Sequence, residues 1–426
     1  MRDNRPINLL RTSDRFGVYI HIPFCASRCD YCDFATWTDR EHLVGEYVDA
    51  CVAQIANTLA LDPFPAATSV FFGGGTPSLI DPVQLVRILD AIPRALGAEV
   101  TVECNPDAAT PEQLSIYGEH GVNRLSFGVQ STSTHVLAAL GRTHDQDNVA
   151  RAVAAARSSG IDNINLDIIY GTPGESIADW AATINDVVAL APTHVSAYAL
   201  TVEAATPLGA NLRAGTAAAP DDDDQADKYE MVDAALHRHG YENYEISNWA
   251  LTGRECAHNL LYWTMGEYFA VGCAAHGHAN GARHWNAHTI ERFISLVGGG
   301  ESPIVGSERL APEVRAEEAL TLGLRTRTGV VVQDRTVDIA NFDAALDPLI
   351  EAGLIWVQTP NAPLDSSSTP RVAQGNQASW AQVMADRAGE PVTIGLTARG
   401  RLMANDITAR LINAGVAKTV AGGHYD

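Results

Sequence analysis

Residues 18–34 have the sequence VYIHIPFCASRCDYCDF. It begins with a β-branched and aromatic run typical of a buried strand, and cysteines follow directly at positions 25, 29 and 32. Thiolates with the spacing Cys-x3-Cys-x2-Cys can bind three irons of a [4Fe–4S] cluster and leave the fourth iron open, where substrate chemistry can occur. The motif therefore predicts a reactive iron–sulfur site with Cys25, Cys29 and Cys32 as its ligands.

Two other interpretations of these cysteines are weaker. Disulfide frameworks are typical of small secreted domains, whereas this chain has 7 cysteines in 426 residues. A structural zinc site would need a fourth Cys or His nearby, and position 34 is Phe34. Soft thiolates at this spacing thus favour iron–sulfur binding. We expect Cys51, Cys104 and Cys273 to be small buried hydrophobic residues.

Strand-like and helix-like segments alternate through the first half of the chain. Six βα units in series predict an α/β fold with a partial parallel (βα)6 barrel. In such a fold, ligands meet the loops at the carboxyl ends of the strands, and here those loops carry cysteines, glycines and polar residues. The predicted strands are 18–22, 69–72, 99–104, 124–128, 163–169 and 194–199, and the predicted helices are 41–61, 82–96, 111–119, 147–159 and 176–190.

The composition predicts four regions. These are a tail at 1–13, the barrel core at 14–250, a His/aromatic-rich segment at 251–310 and a smaller C-terminal domain at 311–426. The last has a helix, strand, strand, helix pattern typical of an α+β winged-helix-like unit, and its residues 359–390 predict a mobile insertion because they are rich in Pro, Ser and Asn. The acidic run at 221–224 predicts a helix cap rather than a metal site.

The formal net charge is −22, which argues against a broad electrostatic grip on nucleic acid or on anionic lipid headgroups. The first residues are polar and charged, so no signal peptide is apparent. No stretch reaches the ~20 apolar residues that a bilayer-spanning helix needs. We therefore expect a cytoplasmic protein with no nucleic-acid partner and no membrane span.

The strand and cysteines, followed by Gly-Gly-Gly-Thr-Pro at 73–77, closely resemble the radical S-adenosylmethionine superfamily. Within it they resemble the branch that holds oxygen-independent coproporphyrinogen dehydrogenase and the HemW-type heme chaperones. The resemblance implies that S-adenosylmethionine binds the open iron and is cleaved to a deoxyadenosyl radical, while the protein orients and shields these groups. It implies contacts to that molecule from Tyr19, Gly74 and Glu103, and contacts to a second S-adenosylmethionine from Gly75, Thr76, Gln130, Arg142 and Asp167.

Two features distinguish the members of this branch. The dehydrogenase pattern has a fourth cysteine at the position of Phe34, whereas HemW-type sequences have phenylalanine there. Residues 256–263, CAHNLLYW, resemble the HNxxYW motif of HemW-type proteins. Imidazole is a good axial ligand for heme iron, so His258 is a candidate heme ligand, although one histidine beside two aromatic residues, taken alone, is more often a packing residue. The alternative ligands are His276, His278, His284 and Cys256, and Arg283 could meet a propionate.

The resemblance implies a heme chaperone that passes heme to acceptor proteins such as membrane-bound respiratory cytochromes. The alternative is a radical S-adenosylmethionine enzyme, either a coproporphyrinogen III dehydrogenase or a methyl-transferring relative. A redox or cluster-sensing module is a third interpretation. Whether the chain is an enzyme stays open, as do a homodimer and peripheral association with a membrane.

Overall fold

The computed structural model describes residues 15–142, 146–332, 339–358 and 391–420. Twelve strands of these residues form one sheet with the order β12-β11-β10-β9-β1-β2-β3-β4-β5-β6-β8-β7. The strands are β1 (Phe16–Ile22), β2 (Ala67–Gly74), β3 (Arg94–Cys104), β4 (Arg124–Gln130), β5 (Asn163–Tyr170), β6 (His194–Ala199), β7 (Glu242–Glu245), β8 (Asn248–Ala250), β9 (Glu267–Val271), β10 (His276–Ala279), β11 (Ala282–Asn286) and β12 (Ile304–Glu308).

Strands β1 to β6 pair in parallel with their neighbours in chain order, as the six βα units predict. Parallel neighbours need crossover connections, which helices supply here. The helices of this part are α1 (Val44–Leu61), α2 (Pro82–Asp90), α3 (Pro111–Glu119), α4 (Thr134–Ala139), α5 (Gln146–Ser158), α6 (Ile177–Ala189), α7 (Pro207–Arg213), α8 (Asp222–Arg238), α9 (Ala257–Trp263) and α10 (Ile290–Gly298). The α/β class is confirmed, and in the described residues the two edge strands β12 and β7 do not pair, so the barrel is partial.

The two faces of the parallel sheet differ in chemistry. Side chains alternate along a strand, and one set, including Val18, Val70 and Val102, is buried in the main hydrophobic core. The other face carries polar and aromatic residues in rows, because the register pairs Tyr19 with Phe71 and Phe71 with Thr101. We call this polar side the inner face.

Two segments differ from the sequence prediction. The helix expected at 82–96 ends at Asp90, and β3 already begins at Arg94. Pro93 lies between them, and proline cannot continue a helix because it lacks an N–H and clashes with the preceding turn. The segment expected only to be rich in histidine and aromatic residues adds strands, of which β9 pairs in parallel with β1. In that segment Ala274 has φ +53, a conformation that favours glycine.

A separate antiparallel sheet, ordered β13-β15-β14, lies in the C-terminal part. Its strands are β13 (Val330–Val332), β14 (Ile355–Gln358) and β15 (Val392–Leu396), and its helices are α11 (Pro312–Leu324), α12 (Ile339–Glu351), α13 (Ala398–Leu402) and α14 (Ala404–Asn413). The predicted helix, strand, strand, helix order is confirmed here, and β13 was missed. The expected tail and the insertion at 359–390 lie outside the described residues.

The acidic run at 221–224 has the expected role, since the Asp221 side chain accepts a hydrogen bond from the Asp224 N–H at the start of α8. In the same run, Asp224 pairs with the buried Lys228. Across the described part of the chain, none of the helices combines the length and apolar character needed to span a bilayer.

Candidate functional site

The loop after β1 carries the three motif cysteines and is fixed by main-chain hydrogen bonds. The Cys25 N–H donates to the Trp37 carbonyl at 3.0 Å, and the Cys32 N–H donates to the Cys29 carbonyl at 3.2 Å. The Asp30 N–H donates to the carbonyl of Leu140, which ties the loop to the end of α4. The cysteine loop is therefore anchored at both its start and its middle.

Two polar side chains donate hydrogen bonds to the sulfurs of this loop. The Thr76 hydroxyl lies 3.8 Å from Cys25 Sγ, and the Arg142 guanidinium lies 3.7 Å from Cys29 Sγ. Burial raises the pKa of the Cys25 and Cys32 thiols, so the free thiols favour the protonated form. Donors to sulfur oppose that effect and stabilise a thiolate, which is the form that binds iron.

Within the residues that the structure describes, no three His, Cys, Asp or Glu side chains are grouped so that they could hold a single metal ion. An iron–sulfur cluster does not require side chains that converge on one ion, because each cysteine thiolate binds a separate iron of the cluster. Three partly exposed cysteines with sulfur donors fit that requirement.

The glycines after β2 lie against the cysteine loop. The Gly75 N–H donates to the Ile22 carbonyl at 2.7 Å, and the Thr76 N–H donates to the Phe24 carbonyl at 2.9 Å. A Cβ at Gly75 would lie 2.6 Å from the Phe24 carbonyl oxygen and 3.0 Å from Cys25 Sγ. Only glycine therefore fits this position without moving the cysteine loop.

A carboxyl at the end of β3 faces this glycine turn. Glu103 accepts a hydrogen bond from the Gly74 N–H at 3.2 Å. Burial, followed by the charge of Asp167, raises the pKa of Glu103 to about 8. A cationic or hydrogen-bonding ligand placed here would favour the ionised form, so the position suits an ammonium group or hydroxyls.

Asp167 connects this carboxyl to a polar network on the inner face. It accepts hydrogen bonds from the Ser126 hydroxyl at 2.9 Å and from the Asn165 amide at 2.8 Å. Both partners lie on neighbouring positions of β4 and β5. The carboxylate is thus held in a fixed orientation at the carboxyl end of the sheet.

Two buried polar atoms near the cysteines lack partners among the described residues. They are Gln130 Oε1 and Arg142 Nε. Gln130 has φ +64, and Arg142 is oriented by a hydrogen bond of 2.7 Å to the Gly128 carbonyl. Buried polar groups without partners are costly, so such a pair indicates a place where a polar ligand binds. We use the name rim for the set Cys25, Cys29, Cys32, Gly74, Gly75, Thr76, Glu103, Gln130, Arg142 and Asp167.

Tyr19 lies deeper on the inner face than the rim. Its hydroxyl bonds the His21 Nδ1 at 3.1 Å, and its ring lies 6.4 Å from Phe71. The charge of Glu103 is one of the causes that raise the Tyr19 pKa, after burial, so the two side chains are close. The structure therefore brings together ten of the predicted residues at the rim and places Tyr19 below them.

His258 occupies the opposite end of the inner face, on α9. It is fully buried, with Nδ1 at 3.0 Å from the Ser69 hydroxyl and Nε2 at 3.0 Å from the Tyr262 hydroxyl. Burial lowers its pKa to about 3, so the imidazole is neutral. Both nitrogens are engaged in this conformation. Iron ligation by His258 stays a prediction, and it would require Ser69 or Tyr262 to release a nitrogen.

The other candidate ligands differ in accessibility. His276 is exposed and its ring lies 5.9 Å from Trp285. Burial lowers the pKa of the half-buried His284, and the Cys256 thiol is buried against Glu99. Arg283 pairs with Glu318. The Nδ1–H of His278 donates to the Gly266 carbonyl at 3.0 Å. As expected, Cys51, Cys104 and Cys273 are buried.

Sequence reasoning missed the anchoring of α9. Glu99 on β3 accepts hydrogen bonds from the N–H groups of Ala257 and His258, each at 3.1 Å, and so caps the helix. Nearby, the buried His194 bridges the Asn165 side chain and the Tyr244 hydroxyl. The sequence does carry a signal for these polar contacts. Glu99, Thr101 and Glu103 are alternate residues of β3, which places their polar side chains on a single face.

Comparisons with known proteins identify the family. The model of the radical SAM superfamily matches residues 19–187. The chain is 40% identical over 323 residues to the heme chaperone HemW of Mycobacterium tuberculosis (strain CDC 1551 / Oshkosh), a match that covers 74% of this chain and 83% of that protein. It is 37% identical over 350 residues to the heme chaperone HemW of Bacillus subtilis (strain 168), covering 80% and 92%. This chain belongs to the HemW family.

A mammalian protein is also similar to this HemW-family chain. The mitochondrial radical S-adenosyl methionine domain-containing protein 1 of Mus musculus is 34% identical over 336 residues, or 75% of each chain. The solved structure of coproporphyrinogen III oxidase HemN from Escherichia coli has a TM-score of 0.73 at 19% identity, and covers 94% of this chain and 91% of that one. At that identity the likeness shows a shared fold.

Membership of the HemW family within the radical SAM superfamily implies a [4Fe–4S] cluster and S-adenosylmethionine as cofactors. The rim fits these groups, since it combines cysteines with sulfur donors, a turn that a Cβ would fill, and unpartnered buried polar atoms. When bound, the cofactors supply electron transfer and radical formation.

Proposed function

We propose that this chain is a heme chaperone that binds heme, carries a [4Fe–4S] cluster with S-adenosylmethionine, and transfers heme to acceptor hemoproteins. The observation that carries the proposal is the similarity, over 80% of the chain, to a protein named a heme chaperone. The exposed Phe34 at the place of a fourth cysteine supports it over the dehydrogenase alternative.

The rim residues have separate roles in this proposal. Cys25, Cys29 and Cys32 bind the cluster, and the hydrogen bonds from Thr76 and Arg142 stabilise their thiolates. Gly74 and Glu103 contact S-adenosylmethionine, where the raised pKa of Glu103 suits an ammonium partner. Tyr19 completes that contact from below.

A second group of contacts supports a further S-adenosylmethionine. Gly75 and Thr76 present main chain and a hydroxyl, while Gln130, Arg142 and Asp167 present an amide, a guanidinium and a carboxylate. The unpartnered Gln130 Oε1 and Arg142 Nε support ligand binding at this place. A guanidinium is well matched to a carboxylate group of the ligand.

The proposed partners follow from the function. Heme is the cargo, and the acceptors are membrane-bound respiratory proteins reached from the cytoplasm by peripheral association. The net charge of −22 disfavours broad attraction to anionic lipid, so we expect the acceptor protein rather than the lipid to provide specificity.

The test is anaerobic reconstitution of the full chain followed by titration with Fe(III) protoporphyrin IX, with and without S-adenosylmethionine. We expect stoichiometric heme binding and a cluster that Cys29→Ala abolishes, whereas the matched control Cys104→Ala, a buried cysteine outside the motif, retains it. Protein with an intact cluster that fails to bind heme would refute the chaperone proposal. Anaerobic turnover of coproporphyrinogen III would instead establish the dehydrogenase.

A further inference from the structure

A series of side-chain hydrogen bonds runs across the inner face from α9 to the rim. It starts at Asn259, the asparagine of the HNxxYW motif, and ends at Asp167. Between these two lie Tyr244 on β7, His194 on β6 and Asn165 on β5, and all three are buried. We call these five side chains the relay. Asn165 and His194 are direct partners in the strand register, so the sheet itself aligns them.

The end of the relay at Asp167 fixes the orientation of Asn165. A carboxylate only accepts hydrogen bonds, so the amide nitrogen of Asn165 faces Asp167, at 2.8 Å. The amide oxygen then faces Nδ1 of His194, at 2.6 Å. Because an amide oxygen also only accepts, Nδ1 of His194 carries a proton and donates to Asn165.

The other ring nitrogen of His194 accepts a hydrogen bond. Burial, followed by the charge of Arg124, lowers the pKa of His194 well below its usual value, so the imidazole is neutral and Nε2 has a lone pair. The Tyr244 hydroxyl donates to Nε2 at 2.8 Å, and the Tyr244 oxygen accepts from the Asn259 amide at 3.3 Å. Each donor of the relay thus points towards Asp167, and hydrogen bonds in such a series strengthen one another.

Both oxygens of Asp167 depend on the orientation of Asn165. The Asn165 amide donates directly to Oδ1. It also donates to the Ser126 hydroxyl oxygen at 2.7 Å, which leaves the Ser126 proton to donate to Oδ2 of Asp167 at 2.9 Å. An amide turned over would present its oxygen to the carboxylate and would remove both donors.

The oxygen side of Asn165 is where His194 acts. The amide oxygen accepts from Nδ1 of His194 and from the Ser196 hydroxyl at 3.1 Å. With its two donated bonds, Asn165 has used the whole hydrogen-bonding capacity of an amide. A hydroxyl can also accept, so Ser196 alone would tolerate the turned amide, whereas the Nδ1–H of His194 would meet an N–H. Because the site is buried, solvent does not replace a lost donor.

We infer that His194 is a positioning residue for the S-adenosylmethionine that Asp167 contacts, and that it acts through Asn165. The relay continues from His194 through Tyr244 to Asn259, so it connects the HNxxYW motif on α9 with the rim. This inference rests on the proposed contact between Asp167 and S-adenosylmethionine, and it adds a residue that is outside the rim.

The experiment compares His194→Gln with His194→Asn in the full, cluster-reconstituted chain. An asparagine amide occupies the place of Nδ1, so it can still donate to Asn165. A glutamine amide reaches the place of Nε2, so it keeps the contact with Tyr244 and loses the donor to Asn165. The two variants have the same functional group and are matched controls for each other. Anaerobic calorimetry measures the affinity for S-adenosylmethionine, and Asp167→Ala identifies the binding event that depends on Asp167.

We expect His194→Gln to weaken that binding event by ~10-fold, the usual effect of losing a buried hydrogen bond that supports a charged group. His194→Asn should keep the wild-type affinity. Both variants should hold the cluster as wild type does, since His194 is not a cluster ligand.

The outcomes separate this inference from the proposed function. If Asp167→Ala weakens binding while His194→Gln binds as wild type does, the inference is wrong and the proposed contact stands. Equal weakening in His194→Gln and His194→Asn would show a general structural role and would also overturn it. If Asp167→Ala binds S-adenosylmethionine as wild type does, the proposed contact itself fails, and the inference fails with it.

Discussion

Glu103 provides a prediction that separates stability from cofactor binding. Its pKa rises from the usual 4.5 to about 8, because burial and then the charge of Asp167 oppose ionisation. A carboxyl with a raised pKa holds its proton more tightly in the folded state than in the unfolded chain. The free energy of unfolding therefore falls as pH rises from 4.5 to about 8, and this effect is constant at higher pH.

The magnitude follows from the two pKa values. The difference between 4.5 and about 8 corresponds to about 5 kcal/mol of lost stability above pH 8 as an upper bound. Glutamine does not ionise, and its amide oxygen can still accept from the Gly74 N–H. Because the surroundings of a partly buried carboxylate adjust, we expect Glu103→Gln to stabilise the cofactor-free chain by about 1–3 kcal/mol at pH 8.5.

The same change should weaken binding of S-adenosylmethionine to the reconstituted protein. An ammonium group beside Glu103 favours its ionised form, so binding at pH 7 should release close to one proton from wild type and none from the variant. Chemical denaturation against pH measures the stability, and calorimetry in two buffers of different ionisation enthalpy measures the proton. The control is Glu230→Gln, an exposed carboxyl on α8.

Two results would refute the reasoning about Glu103. One is a dependence of stability on pH that is the same in wild type and in Glu103→Gln. The other is binding of S-adenosylmethionine to wild type without release of a proton. Either would mean that the carboxyl is already ionised at pH 7 in the folded protein.

Three further predictions concern the glycine turn and α9. Gly75→Ala should lose most of its cluster iron, because the added Cβ would lie 2.6 Å from the Phe24 carbonyl oxygen. The control Gly45→Ala, whose Cβ would meet nothing within 4 Å, should keep its iron. The iron content of each reconstituted protein is the measurement. Glu99→Ala should lower the free energy of unfolding by about 2–4 kcal/mol in denaturant titrations, since two N–H groups lose a charged acceptor, and an unchanged midpoint would contradict the cap. His258→Phe should lower the free energy of unfolding by about 1–3 kcal/mol in denaturant titrations, because the Ser69 and Tyr262 hydroxyls lose their buried imidazole partner, and an unchanged midpoint would contradict this role.

The parallel core was predictable because short strand-like segments alternate with helix-length segments, and nearly every predicted strand is followed by a glycine or polar motif. The strands from β9 to β12 were not, since they are four or five residues long and carry His276, His278, Arg283 and other polar residues that obscure a two-residue period. The wrong end of α2 had a visible cause in Pro93. The residues around Pro93 favour a helix, so the helical pattern of the sequence continues past the point where α2 ends.

The cysteines and the glycine turn could be placed from the sequence because each follows its strand directly. The partners of a side chain could not, because they come from distant segments. Arg142 reaches Cys29, which is 113 positions away, and Ser69 reaches His258, which is 189 away. Such pairs depend on how the loops and α9 pack against the sheet, which a local sequence pattern does not contain.

The HNxxYW motif shows that a functional interpretation changes once the distant partners of its side chains are known. As a sequence, it suggested an iron ligand, because histidine is the residue type that best binds heme iron. In the fold, its polar members contact other parts of the barrel: His258 bonds Ser69, and the Asn259 amide lies 3.3 Å from the Tyr244 hydroxyl. Tyr262, at the end of α9, lines a cavity of about 220 Å³. The motif histidine therefore connects neighbouring elements in this conformation, and iron ligation by it would first require Ser69 or Tyr262 to release a ring nitrogen.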